Sequence, residues 1–173
     1  LNAITDWCLE RDIHLIVNEI YGLSLINTRH PELVRDYTTH PEFKSFASIM
    51  EERKSDFLHL WYGFSKDFGA SGFRVGLVYS HNSQFLKAYS NFKATQMVSN
   101  YTQWLFQKVL EDEAFVTQYI QTNQERLTTS YVAAIRTFRK LNIPYVPAAG
   151  SLFIWIDLSE FLSKQTQEAE NEF

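Results

Sequence analysis

One cysteine in 173 residues, Cys8, excludes an internal disulfide framework and fits a reducing compartment, so a cytoplasmic setting is expected. "DWCLERD" reads as helix, where a lone cysteine packs in a core more often than it reacts. No stretch approaches the roughly 18 consecutive apolar residues of a membrane span, and no basic start precedes an apolar run as in a signal peptide. Basic residues are outnumbered, 16 Lys and Arg against 20 Asp and Glu, giving a net charge of −4, which argues against a nucleic-acid binder. The five histidines show no ligand spacing, so no metal site is expected. Acidic runs such as Glu111-Asp112-Glu113 read as solvated faces rather than catalytic pairs. An initiator Met is missing and the polar end "SKQTQEAENEF" carries no closing element; an internal fragment of a longer protein is expected.

What is present is an apolar, aromatic-rich composition: 45% hydrophobic and 16% aromatic residues, enough for a packed core or an aromatic-lined pocket. Residues 2–12 suit an amphipathic helix, and "IHLIVNEIY" (13–21) a strand buried on both faces, the opening of a parallel α/β sheet. Residues 27–47 hold His-Pro twice and read as a loop with short helical pieces. "FLHLWYGFS" (57–65) and "FRVGLVYS" (73–80) are strand candidates, made neighbours by the tight link between them. From Ser83 to about Leu141 the apolar spacing turns helical in three segments. A Pro-rich turn and the strand candidate "SLFIWIDL" follow, and the shift at 142–150 predicts a domain boundary: 1–141 in one domain, 142–173 the start of another.

Chemistry concentrates in "WYGFSKDFGASGFRVGLVYS" (61–80). Of only six glycines, three follow Lys66 within ten residues, and Arg74 comes eight residues after it. A lysine is the side chain able to form a Schiff base, and it must be unprotonated to do so. Glycines let backbone turn and approach a ligand, and an arginine grips a phosphate bidentately. Ser65 offers a hydroxyl to the same group. A hairpin with a glycine-rich turn and a surface lysine would account for the bare S-K-x-x-G core equally well.

The longer stretch "YGFSKDFGASGFRVG" resembles the cofactor-lysine motif of fold-type I pyridoxal-phosphate aminotransferases, of the form S-K-x-x-G-x-x-G-x-R-x-G. With Asp after the lysine, it is most similar to 1-aminocyclopropane-1-carboxylate synthases and their relatives. "HLIVNEIYG" (14–22) and "AAGSLFIWIDL" resemble two further strands of that family, in order. The resemblance implies the large domain of a three-layer α-β-α transferase with a mostly parallel sheet, here partial, followed by the start of a small α+β domain. It implies pyridoxal 5'-phosphate as cofactor, an amino acid as substrate and a homodimer.

It also assigns roles: Lys66 as covalent anchor and general base, Tyr21 on the cofactor's phenolic oxygen, Ser65 and Arg74 on its phosphate, and Asn18 at its ring nitrogen. Two departures stand out. Asn18 replaces an acid, which weakens the ring as an electron sink, and Gly63 replaces a frequent phosphate-binding Ser. Transamination and elimination to a cyclopropane begin with the same proton removal and are not separated. A pseudoenzyme that retains the cofactor without turnover is the alternative that Asn18 favours. A phosphate-binding domain without a Schiff base leaves Tyr21 and its strand unexplained. Since other pocket residues of the family lie outside these positions, the chain alone is expected to be inactive.

Overall fold

The computed structural model describes every residue except Ala94, Gln165 and Phe173, together with the side chains of all described residues but Lys93 and Glu172. The chain packs as two compact units, Leu1–Leu23 with Glu42–Gln121, and Ser24–Pro41 with Thr122–Phe173. These are packing units, and they do not bear on the domain boundary expected after residue 141.

The first unit opens with α1 (Asn2–Leu9), which buries Thr5 and Cys8 and stops before Asp12 takes a left-handed φ of 52°. The β-branched run then forms β1 (Leu15–Asn18), parallel to β2 (Leu58–Gly63), while β3 (Gly76–Ser80) runs antiparallel on the other side of β2. The expected neighbours β2 and β3 are paired, and the sheet is mixed, in the order β1-β2-β3. One face carries Leu15, Val17, Leu58 and Leu60 onto Phe46, Ile49 and Met50 of α2 (Phe46–Arg53). Ser45 caps α2 by accepting the Ala47 N–H at 3.2 Å.

The opposite face differs from the expectation of a strand buried on both sides. Ile16 is 46% exposed and Trp61 42%, and Asn18 is exposed beside them. Strand periodicity of two sends these side chains away from α2, onto a face where His59 is covered but Ile16, Asn18 and Trp61 remain exposed.

The one-turn helix α3 (Phe64–Asp67) follows β2 directly, and a 3-10 turn (Ser71–Phe73) leads into β3. α4 (Ser83–Lys93) begins after Asn82, whose Oδ1 accepts the Phe85 N–H at 2.8 Å, and α5 (Asn100–Glu111) after Ser99, which accepts that of Thr102. The 29-residue α6 (Glu113–Leu141) ends on Asn142 at φ 56°, a left-handed residue just past the helix. These are the three helical segments that the spacing predicts.

In the second unit, Thr128, Tyr131, Val132 and Ile135 of α6 are buried, the last three clustering with Ile26 and Leu33. The strand expected over "SLFIWIDL" is short: β5 (Trp155–Ile156) pairs antiparallel with β4 (Tyr145–Val146). Within the polar end "SKQTQEAENEF", α7 (Gln167–Glu172) forms; residues 165 and 173 of that segment lie outside the described ones. No helix among the described residues is long and apolar enough to cross a membrane.

Candidate functional site

β1 and β2 run parallel in register, Asn18 opposite Trp61, so their C-terminal ends open together. That is where ligands bind in open α/β sheets. A cleft of about 270 Å³ lies there, lined among others by Asn18, Trp61, Gly63, Ser65 and Arg74. Three of the five expected site residues therefore share one cavity. Lys66 and Tyr21 do not line it: Lys66 is exposed on α3, and Tyr21 is half-buried in the turn after β1.

Each position has a local cause. Gly76 lies opposite Gly63, and a Cβ on Gly76 would meet the Tyr62 carbonyl oxygen at 3.2 Å, so glycine lets β3 approach β2 closely. Gly69 takes a left-handed φ of 61°, turning the chain out of α3. Arg74 itself is left-handed, φ 55° and ψ 43°, a conformation costing a non-glycine residue roughly 1–2 kcal/mol. Strain of this kind gathers at functional sites. One Arg74 N–H donates to the Ser71 carbonyl at 3.0 Å, and the exposed guanidinium keeps further donors in its fork.

Asn18 and its neighbour divide the polar work of the β1 turn. The Asn18 Oδ1 accepts the Ile20 N–H at 3.1 Å, leaving the amide NH₂ as the group it can offer a ligand. Glu19, the nearest carboxylate in sequence, is committed elsewhere: it accepts from the Ser45 hydroxyl at 2.8 Å and from the Phe46 N–H at 2.5 Å, at the start of α2. It does not substitute for an acid at position 18.

Behind the cleft, residues that the sequence did not single out hold its parts together. Asp67 is 2% exposed, and its Oδ2 accepts both the Leu23 N–H and the Tyr62 hydroxyl at 3.0 Å. Burial, then the Asp67 charge and hydrogen bond, push the Tyr62 phenol far above its ordinary range, so it stays a donor. The acid beside Lys66 was visible in the motif, but nothing in a one-letter string says that it points inward. No group of three or more metal-ligating side chains occurs among the described residues.

Comparison with known proteins bears on what such a cleft is for. The model of the family "Aminotransferase class I and II" matches residues 1–171. A 1-aminocyclopropane-1-carboxylate synthase of Arabidopsis thaliana, number 7, is 32% identical over 98% of this chain and 36% of its own length. Synthase 2 of Oryza sativa subsp. japonica is 31% identical over 99% of the chain and 34% of its own. The chain thus spans about a third of the relatives it matches. Among solved structures, a double mutant of Thermus thermophilus aspartate aminotransferase superposes with a TM-score of 0.77 at 17% identity, covering 93% of this chain and 38% of that one. An aromatic aminotransferase from Pyrococcus horikoshii OT3 gives 0.73 at 19%, over 92% and 39%. These structures share the fold.

Proposed function

From a chain that belongs to the class I and II aminotransferase family, we infer that the parent protein binds pyridoxal 5'-phosphate and acts on an amino acid, with Lys66 as the covalent anchor. The observation that carries this reading is the convergence of Asn18, Ser65 and Arg74 on one cleft at the strand ends, with Lys66 next to Ser65 on α3. The donor set fits the cofactor. A hydroxyl and a guanidinium suit a phosphate dianion, and an amide N–H suits a ring nitrogen. The cleft's 270 Å³ lies just under the roughly 300 Å³ at which small-molecule sites begin, as fits a chain a third the length of its relatives.

When bound, the cofactor supplies an electron-accepting ring that stabilises negative charge at a substrate's alpha carbon. The chain's residues do the rest. Lys66 would hold the cofactor through its amine and, once released by substrate, would take up the proton at the alpha carbon. Ser65 and Arg74, which line the cleft, would hold the phosphate, and Tyr21, outside that lining, would offer its hydroxyl to the phenolic oxygen. Asn18, with its oxygen engaged by Ile20, would offer an amide N–H to the ring nitrogen and would add no charge. Removal of that alpha proton is common to transamination and to elimination to a cyclopropane, and the proposal stays with the shared step. A homodimer in the cytoplasm belongs to the same proposal, as does a domain boundary near residue 141.

The test is direct. The intact protein loaded with pyridoxal phosphate should show a visible absorbance band that Lys66→Ala abolishes, and borohydride should fix the cofactor's mass on the Lys66 peptide. Absence of both from the intact protein sinks the reading.

A second reading, a protein that keeps the cofactor without turnover, is favoured by Asn18 and by Glu19's engagement with α2. Asn18→Asp decides between them. A large gain in amino-acid turnover marks a weakened enzyme, and inactivity with and without the acid marks a binding role.

A further inference from the structure

We propose that Asp67 is a positioning residue, whose buried carboxylate ties the turn carrying Lys66 to the segment carrying Tyr21 and so sets amine and phenol in register. The proposal rests on the reading of Lys66 as the cofactor lysine and adds to it how a one-turn helix holds that lysine still.

α3 has four residues, and its N-cap, Gly63, offers no side-chain hydrogen bond. A single helical turn has no stability of its own, so its placement comes from tertiary anchors. One anchor is apolar: Phe64, 8% exposed, packs its ring against Phe106 at 4.9 Å and Phe68 at 5.3 Å. The polar anchor is Asp67. Its Oδ2 takes two donors from different parts of the chain, the Tyr62 hydroxyl on β2 and the Leu23 N–H, 44 residues away in sequence. Successive helical residues point about 100° apart, and here Asp67 goes inward while Lys66 stays exposed.

Leu23 is two residues past Tyr21, and the turn between is pinned on its near side as well. The Gly22 N–H donates to the Glu19 carbonyl at 2.8 Å, and the Glu19 carboxylate is held at the start of α2. The Tyr21 turn therefore has two fixed ends, one on α2 and one on Asp67. A buried carboxylate is costly unless it gathers donors, and among the donors to this one the Leu23 N–H joins α3 to the segment that carries Tyr21, while the Tyr62 hydroxyl fixes it to β2.

The experiment measures covalent capture of pyridoxal phosphate by the intact apo-protein, as the rate at which borohydride-fixed mass appears on the Lys66 peptide. Circular dichroism in the cofactor's visible band reports its fixed orientation. Asp67→Ala should slow capture on the order of 100-fold, the scale of an ångström-level misplacement, and flatten the dichroic band. Asp67→Asn keeps an acceptor oxygen in place and should restore both to within about tenfold. Parental capture and dichroism in Asp67→Ala overturn the proposal while leaving the cofactor reading intact. No capture at Lys66 in the parent overturns the cofactor reading, and this proposal with it. Should Asp67→Ala not fold, Asp67→Glu, with the same charge one methylene further out, takes its place: slowed capture at a parental melting temperature supports the clamp, and unchanged capture overturns it.

Discussion

In the unit built from Ser24–Pro41 and Thr122–Phe173, charged groups are satisfied by one another inside the packing. Arg139 donates to both Asp36 oxygens at 2.7 Å, to the Glu32 carbonyl at 3.0 Å and to the Tyr145 hydroxyl at 3.0 Å, and Tyr145 in turn donates to Asp36 at 2.9 Å. The Arg139 and Asp36 side chains are only 22% and 12% exposed. In the unit built from Leu1–Leu23 and Glu42–Gln121, the sheet leaves Ile16, Trp61 and Leu77 more than 40% exposed, and the cations proposed for the site, Lys66 and Arg74, are exposed. Arg139 spends its charge on internal cohesion; Lys66 and Arg74 keep theirs available to solvent. A ligand site needs the second condition.

The comparison breaks most visibly at Arg139. Arg139→Ala leaves the Asp36 carboxylate without its fork, and stranding one partner of a poorly exposed pair costs about 3 kcal/mol of unfolding free energy, read by denaturant titration. The pair Arg139→Met with Asp36→Leu should recover most of that loss, since an apolar replacement removes the stranded charge. A loss as large from removing the Arg74 side chain, measured without cofactor, would erase the distinction between the units.

Glu19 sharpens it from the other side, as an acid in the site's own unit that serves structure. Glu19→Ala removes the acceptor for Ser45 and Phe46 at the start of α2, and should cost about 1–2 kcal/mol. The melting temperature then falls, and the visible cofactor band of the intact protein stays. Loss of the band at an unchanged melting temperature would move Glu19 into the chemistry.

A pH-dependent effect follows from His59, 2% exposed, with its Nε2 2.8 Å from His14 Nδ1 and its Nδ1 2.8 Å from Ser80 Oγ. Burial first, then the neighbouring His14, holds its pKa below the ordinary histidine value, against the opposing charge of Asp56. An unfolded histidine takes its proton near 6.5, so below that pH the unfolded chain binds the proton first and stability falls. Above about 6.5 the effect is absent. The slope cannot exceed about 1.4 kcal/mol per pH unit for one such group. Melting curves from pH 7.5 down to 5 check it, and His59→Gln should flatten the difference.

What was legible in the sequence divides along physical lines. Period and turn chemistry are local, so β2, β3, their adjacency and the three helical segments were readable; Asn18, Ser65 and Arg74 were named through the resemblance, and the fold brings them to one cleft. α2 was not: eight residues are too few for a helical period to show, and Glu19 supports its start from 26 residues away. The burial of β1 on both faces was over-read, because an apolar run states what a strand can bury and not what is present to cover it. Asp67 was visible as a letter and silent as an anchor, since its partners, Leu23 and Tyr62, are brought to it by the fold.

The smallest effect lies at Gly63, where relatives of the motif often carry serine. Its backbone is extended, φ −147° and ψ 142°, which any residue adopts, and a Cβ there would meet Ile20 at 3.5 Å and the Val75 carbonyl at 3.7 Å, ordinary contact distances. Gly63→Ser therefore fits without strain and places a hydroxyl in the cleft beside Ser65 and Arg74. One added hydrogen bond to a phosphate is worth about 1 kcal/mol, or roughly fivefold in affinity, measured as pyridoxal phosphate dissociation from the intact protein. Tighter binding at parental stability supports the phosphate end of the cleft being here; weaker binding would mean that the glycine clears space for another part of the ligand, and would reverse the orientation assigned to the site.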